Sequence, residues 1–383
     1  MNWEDEIVEA SATDTGMRRA NNQDSHAIVR ASTRELWKLR GHLLMVADGM
    51  GAHAAGELAS KMACDNIPHN YHKTKTGTST ETLTKAYREV GTQIHAKAVA
   101  NREFAGMGTT CTTLILGPEG ALVAHVGDSR IYRIRGEKLD QLSFDHSLVW
   151  ELVRRQHVTQ EQAARTVPRN VITRSLGPEP LVEVDIEGPI QVQPGDVFLL
   201  CSDGLSGPVT DEEIGTFAAN FHPEAACRYL IQLANLRGGH DNITAVIARI
   251  GPWVEPNVDG SLPTSDDGQG GKKRARGSLF SNLFGSLKGR SAAPAVEETV
   301  YTSFECPIDL PFLGRMADVL RNAQANGVDQ SWPADWAELA RHRKKAEAFR
   351  QAGHLRAALG ELSEAIVILG VAARLRKDQN GAK

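Results

Sequence analysis

Short apolar runs that stop at an aspartate are the feature that most constrains this chain. Asp48, Asp128 and Asp203 each follow such a run, and Asp241 comes just before another. The runs are rich in β-branched residues, which predicts buried strands. Each aspartate has a turn residue beside it, so each carboxylate is expected at the mouth of a strand. The runs are 42–47, 121–127, 197–202 and 243–248.

Carboxylates that converge at strand ends repel one another and are poorly hydrated. Divalent cations that take oxygen ligands neutralise such a cluster. We therefore predict an acidic, metal-loaded site at the edge of a β-core.

Composition excludes several classes of protein. The formal net charge of −4 gives no global reason to expect a nucleic-acid partner. The five cysteines are scattered without a CxxC pair, so neither a disulfide framework nor a zinc site is expected. The acidic N-terminus lacks the apolar segment of a signal peptide, and no apolar run reaches the roughly 18 residues of a membrane span. We predict a cytoplasmic protein.

The chain of 383 residues is long enough for one large domain and an appendage. Segments typical of strands and helices alternate up to residue 250, and a stretch rich in Gly, Ser, Pro and charged residues follows. Such a composition is typical of a flexible linker. We predict a catalytic domain over residues 1–251, a flexible linker over 252–306 and an α-helical tail over 307–383.

The pattern of the first part favours an α+β fold. Residues 131–142 predict a hairpin around Gly136, and the first strands follow one another without long helices between them. Antiparallel sheets with helices on their outer faces fit this order better than a parallel wound sheet. Strands are predicted near 7–13, 24–30, 42–47, 110–116, 121–126, 130–135, 182–187, 196–202 and 243–250. Helices are predicted near 54–66, 80–101, 146–156, 159–166, 211–219 and 223–236.

Six short motifs occur along the first part of the chain, at 14–24, 46–53, 106–110, 126–130, 201–205 and 240–242. In this order they closely resemble a known family, the bacterial metal-dependent Ser/Thr protein phosphatases of type 2C, or PPM family. The resemblance covers roughly residues 8–250. It implies two stacked antiparallel β-sheets flanked by α-helices, an αββα sandwich, which agrees with the pattern above.

The resemblance also implies an activity, hydrolysis of phosphoserine and phosphothreonine in proteins by a metal-activated water. Because phosphate monoester hydrolysis is very slow without a catalyst, positioning and charge stabilisation dominate the protein's contribution. A binuclear Mg²⁺ or Mn²⁺ centre is implied, with a third ion held more weakly. The implied partners are phosphorylated protein substrates and a Ser/Thr kinase that the enzyme opposes.

Metal ligands are implied at the strand ends. Asp48 matches the bridging carboxylate, and Gly49 can ligate through its carbonyl because it lacks a side chain. Asp203 and Asp241 match the remaining carboxylates of the first metal.

Four further positions bear on the metals. Gln23 stands where the family often has Glu, and its amide would hold metal-bound waters with one negative charge fewer. Asp24 would orient a metal-bound water, and Asp128 matches the ligand of the third metal. Many relatives have another Asp where this chain has Gly207, so a third ion is expected only at high metal concentration.

Two residues are implied to act on the substrate. Arg19, four residues before Gln23, would grip the phosphate bidentately, which a lysine could not do. Its neighbour Arg18 is expected to be a solvated surface charge. His53 would serve as general acid for the leaving alkoxide, and a structural place at a helix N-terminus is its alternative.

The C-terminal tail carries a further resemblance. Residues 346–366 resemble a single tetratricopeptide-like helix pair, with a generic Ala-rich helical hairpin as the alternative. Because single units of this kind do not normally stand alone, the tail is expected to pack on the catalytic domain, on a second copy or on a protein partner.

Two other functions stay open at this point. The departures at Gln23 and Gly207 are compatible with a catalytically weak pseudophosphatase that acts as a binding or regulatory module. Related bacterial regulators instead act on a phosphorylated antagonist of an anti-sigma factor.

Overall fold

Two antiparallel β-sheets stacked face to face form the centre of the molecule. The computed structural model describes residues 7–52, 54–155, 162, 166–168, 171–258 and 301–381. Helices cover the outer face of each sheet. The predicted α+β sandwich with a helical tail is confirmed.

The first sheet has the strand order β1-β11-β10-β7-β8-β12, and the second has the order β2-β3-β5-β6-β9, with the short β4 beside β3. The hairpin predicted around Gly136 is confirmed as β7 and β8. The strands are β1 Ile7–Asp14, β2 Asp24–Val29, β3 His42–Met50, β4 Gly108–Thr109, β5 Cys111–Gly117, β6 Gly120–Val126, β7 Arg130–Arg135, β8 Lys138–Gln141, β9 Asp185–Ile190, β10 Val197–Cys201, β11 Ile243–Ile250 and β12 Thr302–Glu305.

The interior between the sheets is apolar. Leu44 and Val46 of β3 pack there with Phe198 and Leu200 of β10, and all four are buried. The intervening residues of β3, such as Met45, face the helices of the second sheet. Because both faces of the central strands are buried, these strands are apolar throughout rather than alternating.

Several α-helices lie in the described ranges before residue 251. One difference from prediction is α2, which was expected to end near residue 66 but continues through Pro68. A proline removes a helical hydrogen bond, and burial of the neighbouring Ile67 and Tyr71 outweighs that loss. The helices are α1 Arg34–Arg40, α2 Ala55–Lys73, α3 Ser79–Ala100, α4 Leu148–Arg154, α5 Asp203–Ser206, α6 Asp211–Asn220 and α7 Pro223–Leu236.

Two more elements of the structure differ from the prediction. Helix α1 was not predicted, although Thr33 caps its first turn by accepting from the Leu36 N–H. The strand predicted near 182–187 is shifted toward the C-terminus in β9. The helix predicted near 159–166 lies largely outside the described residues.

The tail forms three helices, α8 Leu310–Asp329, α9 Trp336–Gln351 and α10 Leu355–Gly381. Its apolar residues join one cluster with α6, α7 and the first sheet. The tail therefore packs on the large domain, one of the three expected arrangements.

The junction before the tail contains a strand. β12 pairs antiparallel with β8 at the edge of the first sheet, although its residues were assigned to the predicted linker. Residues 259–300 of that linker lie outside the described residues, so the three-part division stays a prediction. Within the described ranges, no helix is long and apolar enough to cross a membrane.

Candidate active site

The predicted aspartates gather where strands of both sheets end on one side of the sandwich. Asp48, near the end of β3, is the cross-strand partner of Asp24 at the start of β2. Asp203 follows β10 and begins α5, and Asp241 lies just before β11. The charges of these four side chains act on one another, so the chain brings them together as the sequence predicts.

Asp48 is held by threonines of the second sheet. Its N–H donates to Thr110 Oγ1 at 2.8 Å, and its carbonyl accepts from Thr109 Oγ1 at 2.9 Å. Thr110 Oγ1 in turn lies 2.9 Å from Ser129 Oγ, beside Asp128. The backbone of Asp48 is thereby fixed while its carboxylate is left to face the edge.

Asp24 joins the two sheets. Its Oδ2 accepts from Ser202 Oγ at 2.8 Å and from Thr244 Oγ1 at 2.7 Å. Ser202 directly follows β10 and Thr244 lies in β11, so both donors come from the side of the first sheet. Sequence reasoning missed these two hydroxyls. In the sequence, the only indication of their role was the place of each as a polar residue inside or directly after an apolar strand.

Gly49 is required by a close backbone approach. A Cβ at this position would lie 2.0 Å from the carbonyl oxygen of Gly56 in α2. The Gly49 N–H donates to the carbonyl of Gln23 at 3.1 Å. The N-terminus of α2 therefore lies directly against the end of β3.

Asn242 organises the loop between β1 and β2. Its Oδ1 accepts from the Gln23 N–H at 2.8 Å, and its Nδ2 donates to the carbonyls of Thr15 and Asn21 at 3.0 and 2.9 Å. Asn242 ends the motif at 240–242, and no role was predicted for it. The Gln23 side chain lies nearby, with Nε2 3.4 Å from the carbonyl of Gly51.

Arg19 lies at the same edge. Its Nη2 donates to Asp241 Oδ2 at 2.6 Å, and half of its side chain is exposed. This hydrogen bond, together with the charges of Asp241, Asp48 and Asp203, raises the pKa of the guanidinium against the effect of burial. The side chain of Arg18 is exposed, as expected.

Burial and mutual repulsion destabilise the charged forms of these carboxylates. Burial raises the pKa of Asp24 to about 7, despite the hydrogen bonds from Thr244 and Ser202, and the charges of Asp203 and Asp241 add to the rise. Burial and the neighbouring aspartates hold the pKa of Asp48 well above its usual range. A cation at this edge would relieve both effects.

Asp128 lies in the turn between β6 and β7. Burial, followed by the charges of Asp203 and Asp145, raises its pKa to about 7. Gly207, the position discussed above for the third ion, ends α5 and donates its N–H to the carbonyl of Asp203 at 2.8 Å. That position supplies no carboxylate to a third ion.

The donor set fits a hard divalent cation. Asp24 Oδ1, Asp128 Oδ1 and Asp203 Oδ1 are buried without a hydrogen-bond partner in the protein, and buried oxygens of this kind are usually satisfied by an ordered water or an ion. In the part of the chain that is described, no three His, Cys, Asp or Glu side chains are already arranged so that they could hold a metal ion by themselves. An open, oxygen-only arrangement suits Mg²⁺ or Mn²⁺, because Mg²⁺ keeps several of its waters.

Comparison with known proteins identifies the class. The family model for protein phosphatase 2C matches residues 16–236. This chain therefore belongs to the protein phosphatase 2C family, a family of phosphoric monoester hydrolases.

Curated relatives of the chain are bacterial phosphatases. Protein phosphatase PhpP of Streptococcus pneumoniae serotype 2 is 36% identical over 240 residues, which are 61% of this chain and 94% of that protein. The serine/threonine protein phosphatase PstP of Mycobacterium tuberculosis is 36% identical over 265 residues, 67% of this chain and 48% of that protein.

Solved structures of phosphatases are also similar to this chain. The crystal structure of Mycobacterium tuberculosis PstP/Ppp is similar with a TM-score of 0.57 at 34% identity, and the match covers 64% of this chain and all of that one. The PstP catalytic domain in complex with two manganese ions gives a TM-score of 0.55 at 33% identity, covering 64% and 99%.

His53 falls outside the described residues, so its assignment as general acid stays a prediction.

Proposed function

We propose that this chain is a metal-dependent protein phosphatase that hydrolyses phosphoserine and phosphothreonine in proteins. The observation that carries the proposal is the group of aspartates with unpartnered buried oxygens, together with the neighbouring Asp241, which is paired with Arg19. Family membership and relatives named as Ser/Thr phosphatases support the same reaction. The substrates would be proteins phosphorylated by a Ser/Thr kinase.

Seven residues would hold Mg²⁺ or Mn²⁺ or the waters around the ions. Bound cations would neutralise the carboxylates, polarise the phosphoryl group and supply a water of lowered pKa. The Asp24 carboxylate, already fixed by two hydroxyls, would orient one of these waters. The remaining proposed ligands are Asp48, Gly49 through its carbonyl, Asp203, Asp241 and Gln23, and Asp128 would serve a weaker third ion.

Arg19 would hold the substrate phosphate. A guanidinium has five N–H donors, so Arg19 can keep its hydrogen bond to Asp241 and still present donors to phosphate oxygens. Its half-exposed position lets a phosphorylated side chain reach it from solvent. Asp241 would thus be a metal ligand and would also orient the Arg19 side chain.

The test is hydrolysis of a phosphothreonine peptide with Mn²⁺ or with chelator. We expect metal-dependent turnover in the wild type and a loss of at least about a thousandfold in Asp48→Asn, because that substitution removes a charge at the centre of the site. Asp65→Asn, at an exposed position of α2, is the matched control and should behave as wild type. Absence of turnover in a folded wild-type protein with either metal would favour the pseudophosphatase alternative.

A further inference from the structure

The last turns of α10 reach the loop that carries Arg19. This loop, residues 15–23, joins β1 to β2 and is called the Arg19 loop below. Arg374 Nη1 donates to the carbonyl of Gly16 at 2.7 Å, and Lys377 Nζ donates to the carbonyls of Gly16 and Arg19 at 3.0 and 3.2 Å. Arg374 also pairs with Asp14, directly before the loop. The tail therefore contacts the backbone of the residue proposed to hold phosphate.

The large domain holds the Arg19 loop from the other side. The carbonyl of Gly239 accepts from the N–H groups of Met17 and Arg18, at 2.7 and 3.1 Å. Asn242 holds both ends of the loop, through Thr15 and Asn21. Between these supports, the carbonyls of Gly16 and Arg19 accept from the tail.

The tail is itself fixed where it makes these contacts. Ile366 and Leu369 of α10 are buried in the cluster that includes α7. Glu364 accepts from Arg228 Nη2 at 2.7 Å and from Tyr229 OH at 2.5 Å, and both donors lie in α7. Helix α10 is therefore anchored before it reaches the loop, and it can transmit that position to Arg374 and Lys377.

We propose that Arg374 and Lys377 are positioning residues for the phosphatase reaction: the docked tail holds the Arg19 loop in the conformation that presents Arg19 to substrate phosphate. The proposal rests on the function proposed above. Both residues act on the loop backbone, so the guanidinium of Arg19 stays available.

The first test separates substrate binding from turnover. In the full chain, Arg374→Ala/Lys377→Ala should raise KM for a phosphothreonine peptide about five- to tenfold, with kcat within about twofold of wild type, since a misplaced binding group weakens capture more than chemistry. Arg376→Ala is the matched control, because Arg376 lies in the same turn and no described contact joins it to the loop. A double variant with the same KM as Arg376→Ala would overturn the proposal.

The second test does not depend on activity. Hydrogen exchange of the amides in residues 16–22 should be faster in the double variant than in Arg376→Ala, with the amides of β3 and α7 unchanged. Unchanged protection of these amides would overturn the positioning role. If the wild type hydrolyses no phosphopeptide, the proposed function fails, and the exchange result still decides whether the tail holds the loop. If the double variant does not fold, Lys377→Ala alone carries both comparisons.

Discussion

The acidic edge is the part of the sandwich where Asp24, Asp48, Asp128, Asp203 and Asp241 lie. It differs from the helical layer, formed by α7 and the tail, in the kind of side chain that is buried there. At the edge, Asp24, Asp128 and Asp203 are packed close to like charges and leave buried oxygens without partners. In the helical layer, apolar side chains such as Leu359 and Ile366 fill the interior, and the buried Ser363 hydroxyl donates to a backbone carbonyl. The helical layer is held mainly by apolar packing, although Gln232 Oε1 and Asn235 Oδ1 of α7 are also buried without a partner, whereas the edge gathers like charges that raise one another's pKa.

The largest expected effect comes from neutralising the edge. Asp203→Asn should lower turnover of a phosphopeptide by roughly a thousandfold, because an acid proposed to bind metal is lost. The free energy of unfolding of the chelated protein should stay the same or rise, since one repelling charge is removed. Steady-state kinetics and urea unfolding of the same preparation check both parts. A marked loss of stability in chelator would show that Asp203 is a structural residue.

In the helical layer, we expect a substitution to lower stability and to leave turnover almost unchanged. Ile366→Ala should lower the free energy of unfolding by about 2–5 kcal/mol, because it leaves a cavity in a fully buried site. The kcat of the folded variant should remain close to that of wild type. Val371→Ala, in the same helix at a position that is 45% exposed, is the control. Equal effects of the two substitutions on urea unfolding would contradict the packing described for α10.

The pH dependence of stability should give a smaller effect. Asp24 and Asp128 have pKa values of about 7 in the folded chain and of about 4 when unfolded. Their charged forms oppose folding above pH 7, and this cost is lost as the pH falls through 7 toward 4. Chelated protein should therefore gain about 1 kcal/mol per carboxyl between pH 8 and pH 6.

Urea unfolding at the two pH values, in wild type and in Asp24→Asn, measures this contribution. The substitution should flatten the rise in stability toward pH 6. An equal rise in both proteins would mean that Asp24 does not titrate in this range.

The same contrast explains what the sequence could predict. An aspartate after a short apolar run is confined to a strand end, so Asp48, Asp128 and Asp203 could be placed before the fold was known. Antiparallel sheets were predicted from the hairpin around Gly136 and from strands that follow one another without long helices, and the family resemblance implied that the sheets stack. These predictions depend on residues that are close to one another in the sequence, so they can be made without knowledge of the tertiary structure.

Contacts between distant segments could not be predicted in this way. The hydroxyls of Ser202 and Thr244 reach Asp24 across 178 and 220 residues of sequence. The strand β12 was hidden in a segment whose composition is typical of a linker. The docking of Arg374 beside the Arg19 loop depends on the register between α10 and α7, which shape complementarity sets and periodicity alone does not.

Direct Mn²⁺ binding by chelator-treated protein tests the central claim, that cations complete the acidic edge. Calorimetric titration and thermal unfolding would be run on wild type and Asp203→Asn. The account predicts that Mn²⁺ binds the wild type and raises its Tm with increasing concentration, as expected for a ligand that binds only the folded state. Asp203→Asn should bind more weakly and gain less. A folded wild-type protein that binds no Mn²⁺ or Mg²⁺ and whose Tm does not respond to either ion would contradict the account.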